Sequence, residues 1–129
     1  MALAEYAKML TEFPDVDFYL VYCAEAHPKG GTGLNFSFGE TNGDYDVADS
    51  STVAERVARG QKLIEDVVGD AAAAPRLLVD DVDDALATAF GALPERLYVL
   101  QDGKVAFRGG QGPFDYSLDD VRAALRRIA

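Results

Sequence analysis

Apolar positions recur along the chain in two rhythms, a helical repeat and short unbroken runs, and the two alternate from end to end. Leu3, Tyr6, Ala7, Leu10 and Phe13 fall three and four residues apart and predict a helix over about residues 2–13, stopped by Pro14 and Asp15. Phe18-Tyr19-Leu20-Val21-Tyr22-Cys23 is a nearly continuous apolar run, the pattern of a strand covered on both faces. Val57, Leu63, Ile64, Val67 and Val68 form the inner face of a helix over about residues 53–68, opened by the capping box Thr52-x-x-Glu55 and ended by Gly69. Ala71 to Ala74 is a low-complexity connection closed by Pro75, and Arg76-Leu77-Leu78-Val79-Asp80 predicts a second buried strand. A short helix over about residues 83–90 stops at Gly91. Leu97–Leu100 and Lys104–Phe107 flank Gln101-Asp102-Gly103, whose Asp-Gly pair is the favoured chemistry of a tight antiparallel hairpin. Ser117 caps a last helix with Leu118, Val121, Leu125 and Ile128 at helical spacing.

The order is therefore α-β-α-β-α-β-β-α on 129 residues, the length of one domain, with no internal repeat. Such alternation predicts an α/β fold, a mixed sheet flanked by helices, and the closing hairpin-then-helix resembles the second half of a thioredoxin-like fold. A strand before the first helix is missing. In the thioredoxin-like resemblance that N-terminal β-strand lies in mid-sheet and the reactive cysteine or selenocysteine follows it, so the resemblance implies that this domain, residues 1–129, is N-terminally incomplete. Between Pro28 and Ser50 the chain is rich in Gly, Asn and Asp, with Phe36, Phe38 and Tyr45 as its bulky anchors; a loop that long in a compact domain is usually functional.

Composition narrows the chemistry. Hydrophobic residues at 49% and charged residues at 26% describe a globular protein and exclude disorder. The net charge of −10 repels phosphate backbones and anionic lipid surfaces, so neither nucleic acid nor membrane is expected as a partner. The N-terminus carries no secretory pattern and no run approaches the roughly 18 apolar residues of a membrane span, which makes a cytoplasmic location the default expectation. A lone Cys23 excludes an internal disulfide or dithiol site, and a single His leaves too few ligands for a His/Cys metal centre, so no metal or cofactor is expected. Cys23 itself lies in an apolar strand and reads as a buried structural thiol.

Three stretches carry a family resemblance. Tyr22-Cys23-Ala24-Glu25-Ala26-His27-Pro28 resembles the Y-x-x-E-A-H-P of the iodothyronine deiodinases; Phe90-Gly91-Ala92-Leu93-Pro94-Glu95-Arg96-Leu97-Tyr98-Val99 resembles their Y-G-A-x-x-E-R-L-Y-V; and Gly109-Gly110-Gln111-Gly112-Pro113 with Tyr116 resembles their G-G-x-G-P followed by a Tyr. Their order and spacing span essentially the whole chain. Glu25 and His27 lie where a strand gives way to a loop, the edge at which parallel α/β sheets place ligands, and alternate residues of an extended segment share a face. A carboxylate beside an imidazole fixes its tautomer and raises its pKa, giving a proton donor near neutral pH. The alternative for His27 is a satisfied surface His in a His-Pro turn.

The resemblance implies a reductive dehalogenase of an aromatic halide such as a thyroid hormone, with Glu25, His27 and Glu95 as its acid and base groups and a thiol reductant as co-substrate. Glu95 read by itself is equally a solvated charge or an ion pair with Arg96 or Arg76, worth at most about 1 kcal/mol. The nucleophile is expected upstream of Met1, which matches the Met after it in many relatives; a selenocysteine codon read as a stop would restart the chain there. Family members that bind hormone have a His and an Arg where Ser50 and Gln111 stand, so a small aromatic partner here need not be thyroxine, and Gln111 cannot form the bidentate ion pair of an Arg. Two further readings rest on the same scaffold: a non-catalytic module binding a small molecule or a protein, with the sheet gap closed by homodimerisation or strand donation, and a peroxiredoxin-like peroxidase.

Overall fold

A computed structural model describes residues 2–25 and 50–128. Their order is α1 (Ala2–Glu12), β1 (Tyr19–Tyr22), α2 (Val53–Val67), a 3-10 turn (Ala71–Ala73), β2 (Arg76–Val79), α3 (Ala85–Phe90), β3 (Tyr98–Gln101), β4 (Lys104–Arg108) and α4 (Leu118–Ile128). This is a mixture of helix and strand compatible with an α/β class, and each element falls where the apolar rhythm predicts it. The Ala71–Ala73 stretch is the exception in kind: Asp70 accepts from the Ala72 amide at 2.9 Å and organises the connection as a helical turn.

Local chemistry explains the boundaries. The Glu55 amide donates to Thr52 Oγ1 at 3.2 Å while the Glu55 carboxylate takes the Ser51 amide at 2.8 Å, so the reciprocal half of the box closes one residue earlier than the pattern implies. Gly69 and Gly91, at φ +79° and +55°, take the left-handed conformation that ends α2 and α3. Asp102 and Gly103 are both at positive φ, 52° and 74°, the requirement of a type I′ hairpin. The Asp120 amide donates to Ser117 Oγ at 3.2 Å and opens α4.

Parallel and antiparallel pairing are both present, but in two separate two-stranded sheets rather than one mixed sheet among the described residues. β1 and β2 are parallel, with Leu20 opposite Leu77 and Tyr22 opposite Val79. β3 and β4 are antiparallel, with an irregularity between Val99 and Leu100. The expectation of buried strands at residues 18–23 and 76–80 is corrected here: no residue of β1 or β2 is fully buried, and β2 alternates. Gly60 of α2 sits against Leu77 and Tyr22, where an added Cβ would lie 3.1 and 3.3 Å away, so α2 covers that face. Leu78, on the other face, stays 47% exposed.

The core lies between α1, α4 and the hairpin. Met9, Phe18, Val121 and Leu125 are buried together, with Tyr6, Leu10, Phe13, Leu97, Val99, Phe107 and Leu118 packed around them. Burial of each large apolar side chain contributes roughly 1.5–3 kcal/mol. Tyr6 meets Phe18 edge-to-face at 5.5 Å, and Arg122 of α4 grips Glu12 of α1 through two bonds of 2.9 and 3.1 Å.

A second, polar centre ties α2 to the turn before α3. Arg56 is 1% exposed; its Nη1 donates to the Asp81 carbonyl at 2.7 Å, and its Nη2 lies 2.8 Å from Asp84 Oδ1 as a charge contact. Buried Asp80 accepts from the Leu86 and Ala87 amides at 3.0 and 2.8 Å, the second and third donors of α3, while the first, that of Ala85, goes to Asp83 Oδ1 at 3.1 Å. Removing one partner of a buried ionic contact leaves the other uncompensated. Arg56→Ala should therefore destabilise by about 3–5 kcal/mol in urea unfolding, whereas Lys62→Ala, in an exposed pair with Asp66, should change stability by less than about 0.5 kcal/mol.

Candidate functional site

Beyond the hairpin the two chains stay zipped together. The Gly109 amide donates to the Leu97 carbonyl at 2.8 Å, the Gly112 amide to the Glu95 carbonyl at 2.9 Å, and the Gln111 side chain to the Leu93 carbonyl. Arg96 Nε donates to the Gly109 carbonyl at 2.8 Å across the same seam. Residues 93–97 and 109–112 thus continue the β3–β4 stem toward α4, and both segments carry a cis peptide, at Leu93–Pro94 and Gly112–Pro113.

The seam fixes Glu95. Its main chain is bonded to Gly112, and its side chain lies directly over that glycine: a Cβ added to Gly112 would fall 2.3 Å from Glu95 Cγ and 2.7 Å from Oε1. Gly110 has as little room, with Asp115 Cβ 2.3 Å from its added Cβ. Neither predicted ion pair of Glu95 forms. Arg96 spends its donors on the Gly109 and Gly91 carbonyls, and Arg76 lies 3.8 Å from Asp17.

One half-buried phenol, Tyr116, stands near this carboxylate, with Tyr6 beside it. Burial pushes the Tyr116 phenol up to about 12, and the charge of Glu95 adds to the shift, as does the nearby Tyr6. Burial likewise pushes Tyr6 up to about 12, opposed by its bond to the Tyr19 carbonyl at 2.8 Å. Both hydroxyls keep their protons at neutral pH; that of Tyr6 is spent on the Tyr19 carbonyl, and Tyr116 is the phenol beside the carboxylate. Tyr6 was legible only as one member of an apolar stripe, since helical spacing says nothing of where its hydroxyl ends.

Glu25 is half-buried just past β1, and the Tyr22 hydroxyl donates to its carboxylate. A three-residue offset across a strand end is what brings the phenol back onto the acid. His27 and the loop from Pro28, with Phe36, Phe38 and Tyr45, lie outside the described residues. Cys23 is half-buried just beyond the last residue of β1; burial pushes its thiol up, Asp80 adds to this, and the opposing Arg56 does not reverse it. It is a poor thiolate, as the sequence suggests. Ser50 is buried, and Gln111 directs its amide to the Leu93 carbonyl, holding the loop rather than standing free. Among the described residues no group of three or more His, Cys, Asp or Glu side chains could hold a metal ion, and no helix is long and apolar enough to cross a membrane.

The model of the iodothyronine deiodinase family matches residues 1–129. Over 126 residues, 97% of the chain, it is 29% identical to a thyroxine 5-deiodinase of Sparus aurata, 30% to that of Homo sapiens and 33% to the type II iodothyronine deiodinase of Homo sapiens. The matched region is 43%, 38% and 44% of those proteins, so the chain spans about two fifths of their length. The family match over the whole chain places it in the iodothyronine deiodinase family.

The phenol shifts give a pH dependence of known sign. Tyr6 and Tyr116 hold their protons to about pH 12 in the folded protein, whereas unfolded phenols release theirs near about 10. Between these values the unfolded state binds fewer protons. Stability from the two phenols is therefore complete below about pH 10 and is lost as pH rises through 12, and Tyr6→Phe/Tyr116→Phe should flatten that fall in urea unfolding at pH 9–11.5.

Proposed function

We propose that residues 1–129 are the thioredoxin-like portion of a deiodinase-type oxidoreductase that removes halide reductively from an aromatic ring. The observation that carries this is Glu95, clamped by the Gly109–Gly112 seam beside the protonated Tyr116 phenol, in a chain that belongs to the deiodinase family. The net reaction is Ar–X + 2 RSH → Ar–H + X⁻ + H⁺ + RSSR. A selenolate or thiolate attacks the halogen, the carbon–halogen bond breaks with its electron pair left on carbon, and the ring takes up a proton. Thiol reductant then releases halide and resets the nucleophile. Glu25, oriented by Tyr22, together with His27 and Glu95 handles protons.

The nucleophile in this reading is not Cys23, whose thiol burial holds protonated, but a selenocysteine or cysteine supplied by residues outside 1–129. The strand that carries it fits between β1 and β3. Phe18 and Tyr22 carbonyls bond β2, so alternation sends the polar groups of Tyr19 and Val21 to the opposite edge of β1. There the Tyr6 hydroxyl takes the Tyr19 carbonyl, the place an adjoining strand would fill with an amide. The substrate class is a small iodinated aromatic, and with Gln111 engaged at Leu93 an anionic end of the substrate would be held elsewhere. The same chemistry is compatible with a cytoplasmic location.

An extended chain carrying the in-frame upstream sequence tests this. With a thiol reductant it should release iodide from an iodinated phenol and leave hydrogen peroxide largely unreduced. His27→Ala and Glu95→Gln should each lower turnover by about 10²-fold or more, with Tm within about 2 °C of the parent. Upstream sequence without a Cys or TGA codon, or a His27→Ala chain of undiminished turnover, would sink the reading. Mass that stays dimeric at low concentration, with no turnover, would favour a self-associating binding module instead.

A further inference from the structure

We infer that Gly112 is a positioning residue for Glu95: the place its missing side chain leaves open is the seat in which the Glu95 carboxylate is held. Three observations meet there. An added Cβ would fall 2.3 Å from Glu95 Cγ, 2.7 Å from Oε1 and 2.9 Å from Cδ, so one side chain already fills the site another would need. Gly112 is itself buried, and its amide bonds the Glu95 carbonyl at 2.9 Å, so the two backbones are held together and a collision is relieved only by the Glu95 side chain leaving the seat. The seam on either side is pinned as well, by Gln111 on Leu93 and by Gly109 on Leu97.

Gly112 is not at positive φ, unlike Gly69, Gly91 and Gly103, so glycine is not required there for its backbone conformation. Space alone selects glycine. A glutamate has three side-chain torsions and in solution would populate many of their combinations. Here the floor of the seat is backbone, the adjacent walls are the two pinned segments, and the carboxylate is held near Tyr116. The last glycine of Gly109-Gly110-Gln111-Gly112-Pro113 thus acts on the acid. That Glu95 then moves protons rests on the proposed dehalogenation, whereas its seating on Gly112 does not.

The test is a double-variant cycle on the full chain, read by thermal unfolding and by ¹³C NMR titration of the tyrosine ring carbons. Gly112→Ala should lower Tm by about 5–10 °C in the parent and by less than about 2 °C in the Glu95→Ala background, because removing the occupant empties the seat. The Tyr116 midpoint should drop in Gly112→Ala and in Glu95→Ala alike and no further in the double variant, whereas independent loosening of the packing around the buried phenol would add a second drop. If Gly112→Ala fails to fold, recovery of folding in the double variant is the same result in stronger form. Equal losses of Tm in both backgrounds, an unmoved Tyr116 midpoint, or a double variant that also fails to fold overturns the inference. Each readout is independent of turnover, so a coupled pair together with an upstream-extended chain that releases no iodide would sink the dehalogenation alone.

Discussion

Burial of Phe18 between α1 and α4 is the contact on which the arrangement of the described residues turns. Phe18 precedes β1, so its backbone bonds β2 through Arg76, while its ring packs with Met9, Val121 and Leu125 beside Leu97, Val99 and Phe107 of the hairpin. Two small sheets that exchange no ladder hydrogen bonds are thereby carried by one apolar cluster. A two-stranded sheet is marginal by itself. The parallel pair gains its cover from α2, the hairpin from α1 and α4, and Phe18 belongs to both neighbourhoods.

The candidate site follows from how backbone, rather than side chains, holds acids in place. Glu95 sits on an irregular extension of the β3–β4 stem, and glycines let the facing strand come close enough to bond its carbonyl. Glu25 is steadied by a phenol three residues earlier. In both cases a tyrosine is the companion of the carboxylate, Tyr22 donating to Glu25 and Tyr116 standing beside Glu95, so that neither acid is neighboured by an added charge.

Element order was legible because helical stripes and apolar runs are local signals, and the Thr52 box, the Asp102-Gly103 turn and the Ser117 cap fall where their chemistry requires. Sheet make-up was not, because pairing is decided by residues far apart: Leu78 reads as buried in an apolar run yet lies on the uncovered face of β2. The site was legible in part. Glu25 and Glu95 could be singled out through motif register, but the seat under Glu95 depends on which glycine faces it across the seam, and the Asp80 cap on α3 acts over six and seven residues, beyond the usual capping distance. Arg56 sits between Glu55 and Val57 on a helix whose sequence marks it as one more surface charge; only the packed turn before α3 makes it interior.

The hairpin's free side has a consequence for behaviour at high concentration. β4 bonds β3 along one edge and, among the described residues, no further strand along the other, and it carries Val105, Ala106 and Phe107 between Lys104 and Arg108. Two copies joined antiparallel along that edge, with register centred on Ala106, would set each Lys104 opposite an Arg108; joined parallel and in register, each cation would face its own twin. In an otherwise acidic chain, two cations bracket the apolar run of the open strand and make self-templating repulsive, which is how natural sheets keep an open edge from recruiting its own kind.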